Sequence, residues 1–234
     1  MKSIILPTYN RPHYLEVMLK SVRYAEEYEL FALIEPSEKL EEIRSLLDSH
    51  SHKFKNLYVC VNAERKGMIQ NAFDNMEWAL EKNSFCVCLE DDLWLSPDFF
   101  CLMDFYERTF REKPLSFSCY GGQSGAYPNP EIDTIISDNY FYGNGWAVFK
   151  ENWDKWFAPN WFSSEYAQKH FNAMGNDWNI SGVFREFNAR MLVPTLSRSK
   201  HIGVIGQNHN EHIYNRFCKD KAVNTEYVIS EFKL

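Results

Sequence analysis

The chain has 234 residues, 45% hydrophobic and 24% charged, with a formal net charge of −7. This composition sustains one packed domain and excludes long disorder, while the acidic balance excludes nucleic-acid binding driven by a global positive field. No apolar run approaches a membrane span, no apolar leader follows Met1, and the cysteines lack a Cys-x-x-Cys pair, so the expectation is a cytoplasmic chain with reduced thiols, no transmembrane segment and no structural zinc.

Over the first hundred residues, strand and helix patterns alternate. Ser3 to Leu6 is a short apolar run closed by Pro7-Thr8, as expected of a buried parallel strand. Asn10 is placed to cap a helix with Pro12 in its first turn, striped by Leu15, Met18, Leu19 and Val22. Leu30 to Ile34 reads as a second strand, broken by Glu35-Pro36-Ser37, and Leu40, Ile43 and Leu47 mark a second helix. Leu57 to Val61 reads as a third strand, followed by a helix striped by Ile69, Phe73, Met76 and Leu80. Phe85 to Leu89 is a fourth strand that runs into Glu90-Asp91-Asp92, and Ser96-Pro97 opens a fourth helix to about Phe110.

This order predicts an α/β fold: a mostly parallel, doubly wound sheet flanked by helices, with right-handed crossovers. Ligands in such sheets sit at the carboxyl ends of the strands. That rule gathers Thr8 to Arg11, Glu35, Asn62 and Glu90 to Asp92 on one rim. The second half is less regular: a glycine-rich loop at 121–125, aromatics mixed with Gly143 and Gly145, then Trp153, Trp156 and Trp161. A helix is expected from Trp178 to Asn188, and a polar tail from Arg198 carries Gly203 and Gly206. No composition break marks a linker, so one domain with two functional halves, 1–112 and 113–234, is expected.

Three adjacent carboxylates at the end of a buried strand raise one another's pKa, and a hard divalent cation relieves that cost. A solvated acidic turn is the alternative. Asp177 is a candidate general base for activating a hydroxyl, against the simpler role of capping the following helix; Glu165 and Asp154 compete for the base role. His201, and less so His209, could add an imidazole ligand to a metal, and Arg198 and Lys200 could clamp a diphosphate. Arg185, Arg190, Arg198 and Lys200 fall within one short stretch and leave a local basic patch open. The tryptophans could stack on a sugar, an aromatic aglycone or a flipped nucleobase.

The segment Phe85 to Phe100, with Glu90-Asp91-Asp92 before Ser96-Pro97-Asp98-Phe99, resembles the DxD-type strand end of GT-A glycosyltransferases, in particular the inverting N-acetylglucosaminyltransferase I family. Ile4 to Pro12 resembles the nucleotide-contacting first strand of the broad family 2-like inverting enzymes, and Asn62 to Gly67 with Asn71 resembles their third-strand segment. Gly143 to Trp146 resembles an acceptor-side element, Asn176-Asp177-Trp178 the segment with the catalytic base, and Leu196 to Arg198 the start of a loop closing over the donor. The resemblance implies a GT-A fold with a nucleotide-sugar half, an irregular acceptor half, and a UDP-sugar donor used with Mn²⁺ or Mg²⁺. By residue, it implies Pro7, Thr8, Tyr9, Arg11 and Glu35 at the nucleotide, and Lys66 and Asn71 at base or diphosphate. It further implies Glu90, Asp91 and Arg198 at the donor, Asp92 with His201 at the metal, and Asp177 as base. Gly145, Trp146 and Trp178 would then meet an acceptor that is a glycan, a small molecule or a modified nucleobase. A sugar nucleotidyltransferase and a non-catalytic carbohydrate-binding protein on the same fold remain the alternatives; the former usually carries a glycine-rich basic loop where this chain has Pro7 to Arg11.

Overall fold

The computed structural model describes residues 1–111, 118–122, 129–171, 175–204, 211–217, 219 and 222–234. Its first half follows the expected alternation: β1 (Lys2–Thr8), α1 (Pro12–Ser21), β2 (Tyr28–Ile34), α2 (Leu40–Ser49), β3 (Asn56–Val61), α3 (Met68–Leu80) and β4 (Phe85–Cys88). These strands are parallel and ordered β3-β2-β1-β4. Every residue of β2 and β4 is buried, which is why β4 and β2 from Leu30 onward read as unbroken apolar runs rather than as alternating ones. Pro12 opens α1 as expected, but Arg11, not Asn10, occupies the N-cap position and makes no side-chain capping bond. That leaves the Arg11 guanidinium available to the strand ends.

The short β5 (Leu93–Leu95) and the expected fourth helix, α4 (Phe99–Phe110), complete the first half. The second half is more ordered than its sequence indicates and contributes β6 (Ser118–Tyr120), β7 (Ile135–Asp138), β8 (Trp146–Phe149), α5 (Lys150–Asn152), α6 (Glu165–Phe171), α7 (Asn176–Glu186), β9 (Met191–Pro194), β10 (Ser199–His201) and α8 (Glu211–Phe217). A π-helical turn at Trp153–Phe157 and a 3₁₀ turn at Ala158–Asn160 follow α5. Four of these strands extend the sheet to eight, in the order β3-β2-β1-β4-β8-β6-β9-β7. β8 runs antiparallel to β4, with Trp146 opposite Cys88, so the Gly143 to Trp146 segment lies directly beside the strand that ends in the acidic triplet. β5 and β10 form a separate antiparallel ribbon that sets His201 opposite Leu93. The expected loop at 123–125, together with Gly206, His209 and Cys218, lies outside the described residues.

The tryptophans of the second half divide: Trp146, Trp153 and Trp161 are at most 2% exposed and pack with Phe157, Phe141 and Phe73 into a second core, while Trp178 is 40% exposed. Buried indoles need partners for their N–H groups, and these have them, Trp161 donating to the Ile69 carbonyl and Trp153 to Glu77. The aromatic excess is therefore mainly core.

Arg198 is not a diphosphate clamp, because it is fully buried. Its Nε donates to both oxygens of Asp98, itself 0% exposed, and its Nη groups donate to the carbonyls of Leu196 and Ile132. Asn224 and the Ile229 amide complete the shell around Asp98, tying the C-terminal tail to α4 and to the start of β10. With Arg198 withdrawn, the basic stretch keeps only Arg185, Arg190 and Lys200 at the surface. Replacing Arg198 by Met is expected to cost about 3–5 kcal/mol in urea unfolding, because it strands a buried carboxylate; a loss below about 1 kcal/mol would show that the pair is dispensable.

Candidate active site

A cleft of about 570 Å³ opens at the carboxyl ends of β1, β2, β3 and β4. Its opposite wall is the turn before β8 and the first turn of α7. Pro7 to Arg11 leave β1, Glu35 leaves β2, Arg65 to Ala72 follow β3, and Cys88 to Asp92 end β4. The strand-end rule thus holds for the parallel half, and the antiparallel β8 brings the second half to face it.

The acidic triplet is the cleft's most charged feature. Asp91 and Asp92 are 4% and 2% exposed. Arg11 bridges them, Nη1 donating to Asp92 Oδ2 at 2.6 Å and Nη2 to Asp91 Oδ1. Burial pushes the Asp91 carboxyl up to about 6 despite that partner. Glu90 is driven well above the ordinary carboxylate range by burial and then by the charges of Asp92, Asp177 and Asp91. For Asp92, burial acts upward but His201 and Arg11 outweigh it, so its pKa is lowered. His201 Nε2 lies 3.3 Å from Asp92 Oδ2, and the Ile202 amide donates to the Asp92 carbonyl at 2.8 Å. Residue 203 has to be small here: a Cβ on Gly203 would sit 2.2 Å from Asp92 Oδ2.

One donor atom each from Glu90, Asp92 and His201 lies within 4.8 Å of the others. Asp92 Oδ1 is buried and accepts no hydrogen bond among the described residues. Two carboxylates and an imidazole are a donor set suited to Mn²⁺ or Mg²⁺. The residues present therefore fit a divalent cation. Glu90, expected among donor contacts, belongs to the group that could hold such an ion.

Of the residues expected at the nucleotide, Pro7, Thr8, Tyr9, Arg11, Glu35 and Asn71 line the cleft, while Lys66 does not. The Lys66 ammonium turns outward to Asp74 at 2.6 Å. The neighbouring Arg65 takes the inward place, its guanidinium 4.4 Å above the Tyr9 ring and 3.6 Å from Glu35. Sequence offers two adjacent cations and no means of choosing between them; the left-handed Gly67, at φ 88°, sets how the chain turns into α3. Glu35 Oε1 accepts from the Lys66 and Gly67 amides at 2.7 and 2.9 Å, so this carboxylate holds the β3–α3 loop. Asn71 donates to the Leu33 carbonyl and accepts from Asn62, bolting α3 to the ends of β2 and β3.

Asp177 stands across the cleft in the first turn of α7. The N-cap is Gly175, at φ 126°, and no side chain caps the helix, so the capping role for Asp177 does not hold. Water reaches Asp177 through the cleft mouth, yet the surrounding protein strips enough hydration to lift its pKa to about 6. A Cβ on Gly143 would come within 2.8 Å of Asp177 Oδ1, so Gly143 lets the turn pass directly over the carboxylate. Glu165 and Asp154, the competitors, do not line the cleft. Trp146 forms part of the wall while its ring stacks on Phe157. Gly145 lies behind the wall, its carbonyl accepting from the Gly121 amide at 2.7 Å. Trp178 is 40% exposed, edge-on to Tyr140 and outside the cleft lining. Cys88 is buried at the cleft floor, and desolvation pushes its thiol well up, so no thiolate nucleophile is offered there. Among the described residues no helix is long and apolar enough to cross a membrane.

Comparison with known proteins agrees with this geometry. The structure resembles the mannosyltransferase PcManGT from Pyrobaculum calidifontis, solved with GDP-Man and Mn²⁺, with a TM-score of 0.61 and 14% identity, over 92% of this chain and 60% of that one. It also resembles S. aureus TarS 1–349, solved with UDP-GlcNAc, with a TM-score of 0.62 and 13% identity, over 88% of this chain and 59% of that one. At these identities the likeness shows the GT-A fold. The sequence is 26% identical over 211 residues to the Alpha-1,3-mannosyl-glycoprotein 2-beta-N-acetylglucosaminyltransferase of Arabidopsis thaliana, covering 80% of this chain and 46% of that enzyme. The chain thus spans about half the length of this curated relative. The family model for Glycosyl transferase family 2 matches residues 3–192, nearly the whole sheet and its cleft. A chain with this fold, this strand-end cleft and this match belongs to glycosyl transferase family 2.

Proposed function

We propose that the protein is a metal-dependent, inverting glycosyltransferase that moves a sugar from a UDP-sugar to a hydroxyl acceptor. The observation that carries this reading is the placement of Asp177 in the same cleft as Glu90, Asp92 and His201, whose donor atoms lie within 4.8 Å of one another. The neighbours solved with UDP-GlcNAc and with GDP-Man and Mn²⁺, and the plant N-acetylglucosaminyltransferase, support a nucleotide-sugar donor and favour the uridine type. Residues 1–112 would bind the donor and 113–234 the acceptor.

Glu90, Asp92 and His201 would hold the cation, which when bound neutralises the departing diphosphate. Tyr9 and Arg65 offer a flat aromatic–guanidinium surface to the nucleoside. Glu35 and Asn71 act by fixing the loop and helix that form that end of the cleft. Asp177 takes the proton of the acceptor hydroxyl as its oxygen attacks the anomeric carbon from the side opposite the diphosphate. The proton ends on the Asp177 carboxylate, the new glycosidic bond forms as the old sugar–phosphate bond breaks, and the configuration inverts. An environment that raises the base's proton affinity without neutralising it at pH 7 suits that task.

A donor panel tests the reading. Purified protein with Mn²⁺ should be stabilised in thermal shift by a UDP-sugar and should slowly release UDP from it. Stabilisation by sugars alone, or release of pyrophosphate, would reject it.

A further inference from the structure

Arg11 occupies ground that a cation needs. Its Nη1 donates to Asp92 Oδ2 at 2.6 Å, and the same oxygen faces His201 Nε2 at 3.3 Å. Both lone-pair directions of Oδ2 are thereby taken, while Oδ1 of the same carboxylate is buried and accepts no hydrogen bond from the described residues. Nη2 of Arg11 simultaneously holds Asp91. The guanidinium is thus the counter-ion of the acidic pair, and it is the only Lys or Arg side chain among the described residues paired with either carboxylate. It is not sealed in: the side chain is 30% exposed and flanks the cleft mouth, with the Tyr14 ring 5.7 Å away as its other neighbour.

We infer that Arg11 and the divalent cation are alternative counter-ions of Asp92, and that Arg11, released from Asp92 when the cation binds, turns its freed donors to the nucleotide diphosphate. This rests on the metal-binding reading given above. Arg11 itself stays charged throughout: one ion pair opens, and two form. Three pieces of chemistry support it. A second positive charge within contact of the same carboxylate opposes the first. A guanidinium stripped of one carboxylate has a fork of donors that matches phosphate oxygens. The Arg11 side chain makes no capping bond to α1, so it can swing while the Arg11 carbonyl keeps its bonds from the Tyr14 and Leu15 amides. The exchange makes donor and metal binding mutually dependent: the cation frees Arg11 for the diphosphate, and the diphosphate keeps Arg11 off Asp92.

Arg11→Met keeps the packing on Tyr14 and removes the charge. Mn²⁺ binding to wild type and variant is measured by electron paramagnetic resonance of free Mn²⁺ at pH 8, with and without UDP, alongside a thermal melt. The expected result is that Arg11→Met binds Mn²⁺ alone at least about fivefold more tightly than wild type, while its affinity for UDP at saturating Mn²⁺ falls at least about tenfold. The enhancement of Mn²⁺ affinity by UDP should also be smaller in the variant. Arg11→Lys, which keeps the charge but loses the fork, should stay near wild type for Mn²⁺ alone and lose UDP affinity. Equal or weaker Mn²⁺ binding by a folded Arg11→Met, with wild type binding normally, overturns the exchange and leaves the metal site standing. No Mn²⁺ binding by wild type, with or without UDP, overturns both. A variant that fails to melt cooperatively shifts the decision to Arg11→Lys, where unchanged UDP affinity overturns the proposal.

Discussion

Asp177→Asn is expected to lower kcat by about 10²–10⁴-fold, the usual contribution of a positioned general base, while UDP and Mn²⁺ affinities stay within about twofold. The amide is nearly isosteric with the carboxylate, so the close approach of Gly143 is preserved and the fold should not register the change. What disappears is the acceptor for the hydroxyl proton. In wild type the same carboxylate, though open to solvent, has a pKa raised to about 6 by the desolvating protein around it. A base works deprotonated, so kcat should be flat above that value and fall about tenfold per pH unit below it. The variant should lose this acidic limb along with the rate. Full activity in Asp177→Asn, or a rate that rises as pH drops below 6, would remove Asp177 from the reaction.

Asp92→Ala should weaken Mn²⁺ binding by about 10²-fold or more and abolish metal-dependent turnover, because a bound cation supplies several kcal/mol of charge stabilisation. Excess chelator should reproduce the loss in wild type. The proton count gives an independent check. Burial holds the Glu90 and Asp91 carboxyls above their usual range, so both retain protons at pH values where free carboxylates have lost theirs. A cation prefers the deprotonated cluster and drives those protons off. Apparent Mn²⁺ affinity should therefore rise with pH and weaken steeply as pH falls through about 6, the Asp91 value. Calorimetry in two buffers of different ionisation enthalpy would count the protons released. Affinity independent of pH between 5 and 8, or an Asp92→Ala protein that still binds Mn²⁺ like wild type, would remove the cation from this site.

Elements whose signal is local were legible in the chain. The apolar runs ending at Thr8, Ile34, Val61 and Cys88 gave four strands, and the helical stripes between them gave the crossovers. Strand ends collect ligands in such sheets, so Thr8 to Arg11, Glu35 and the triplet could be gathered into one cleft without coordinates, although Asn62, gathered with them, does not line it. The short β5 and the five strands of the second half, β6 to β10, carried too few residues each to show a period.

The sequence by itself determined the parallel half-sheet, its binding rim and the acidic triplet, because hydrophobic period and strand order are written in neighbouring residues. Only the tertiary structure decided which polar side chains face the cleft. His201 reaches Asp92 because β10 pairs antiparallel with β5, more than a hundred positions earlier in the chain. Arg198, three residues before it, is consumed by Asp98 in the core, and Lys66 yields to Arg65 at the cleft. Such outcomes turn on pairing register and on which long side chain finds a buried partner. Both are set by residues distant in sequence, and neither leaves a periodic trace in the local pattern.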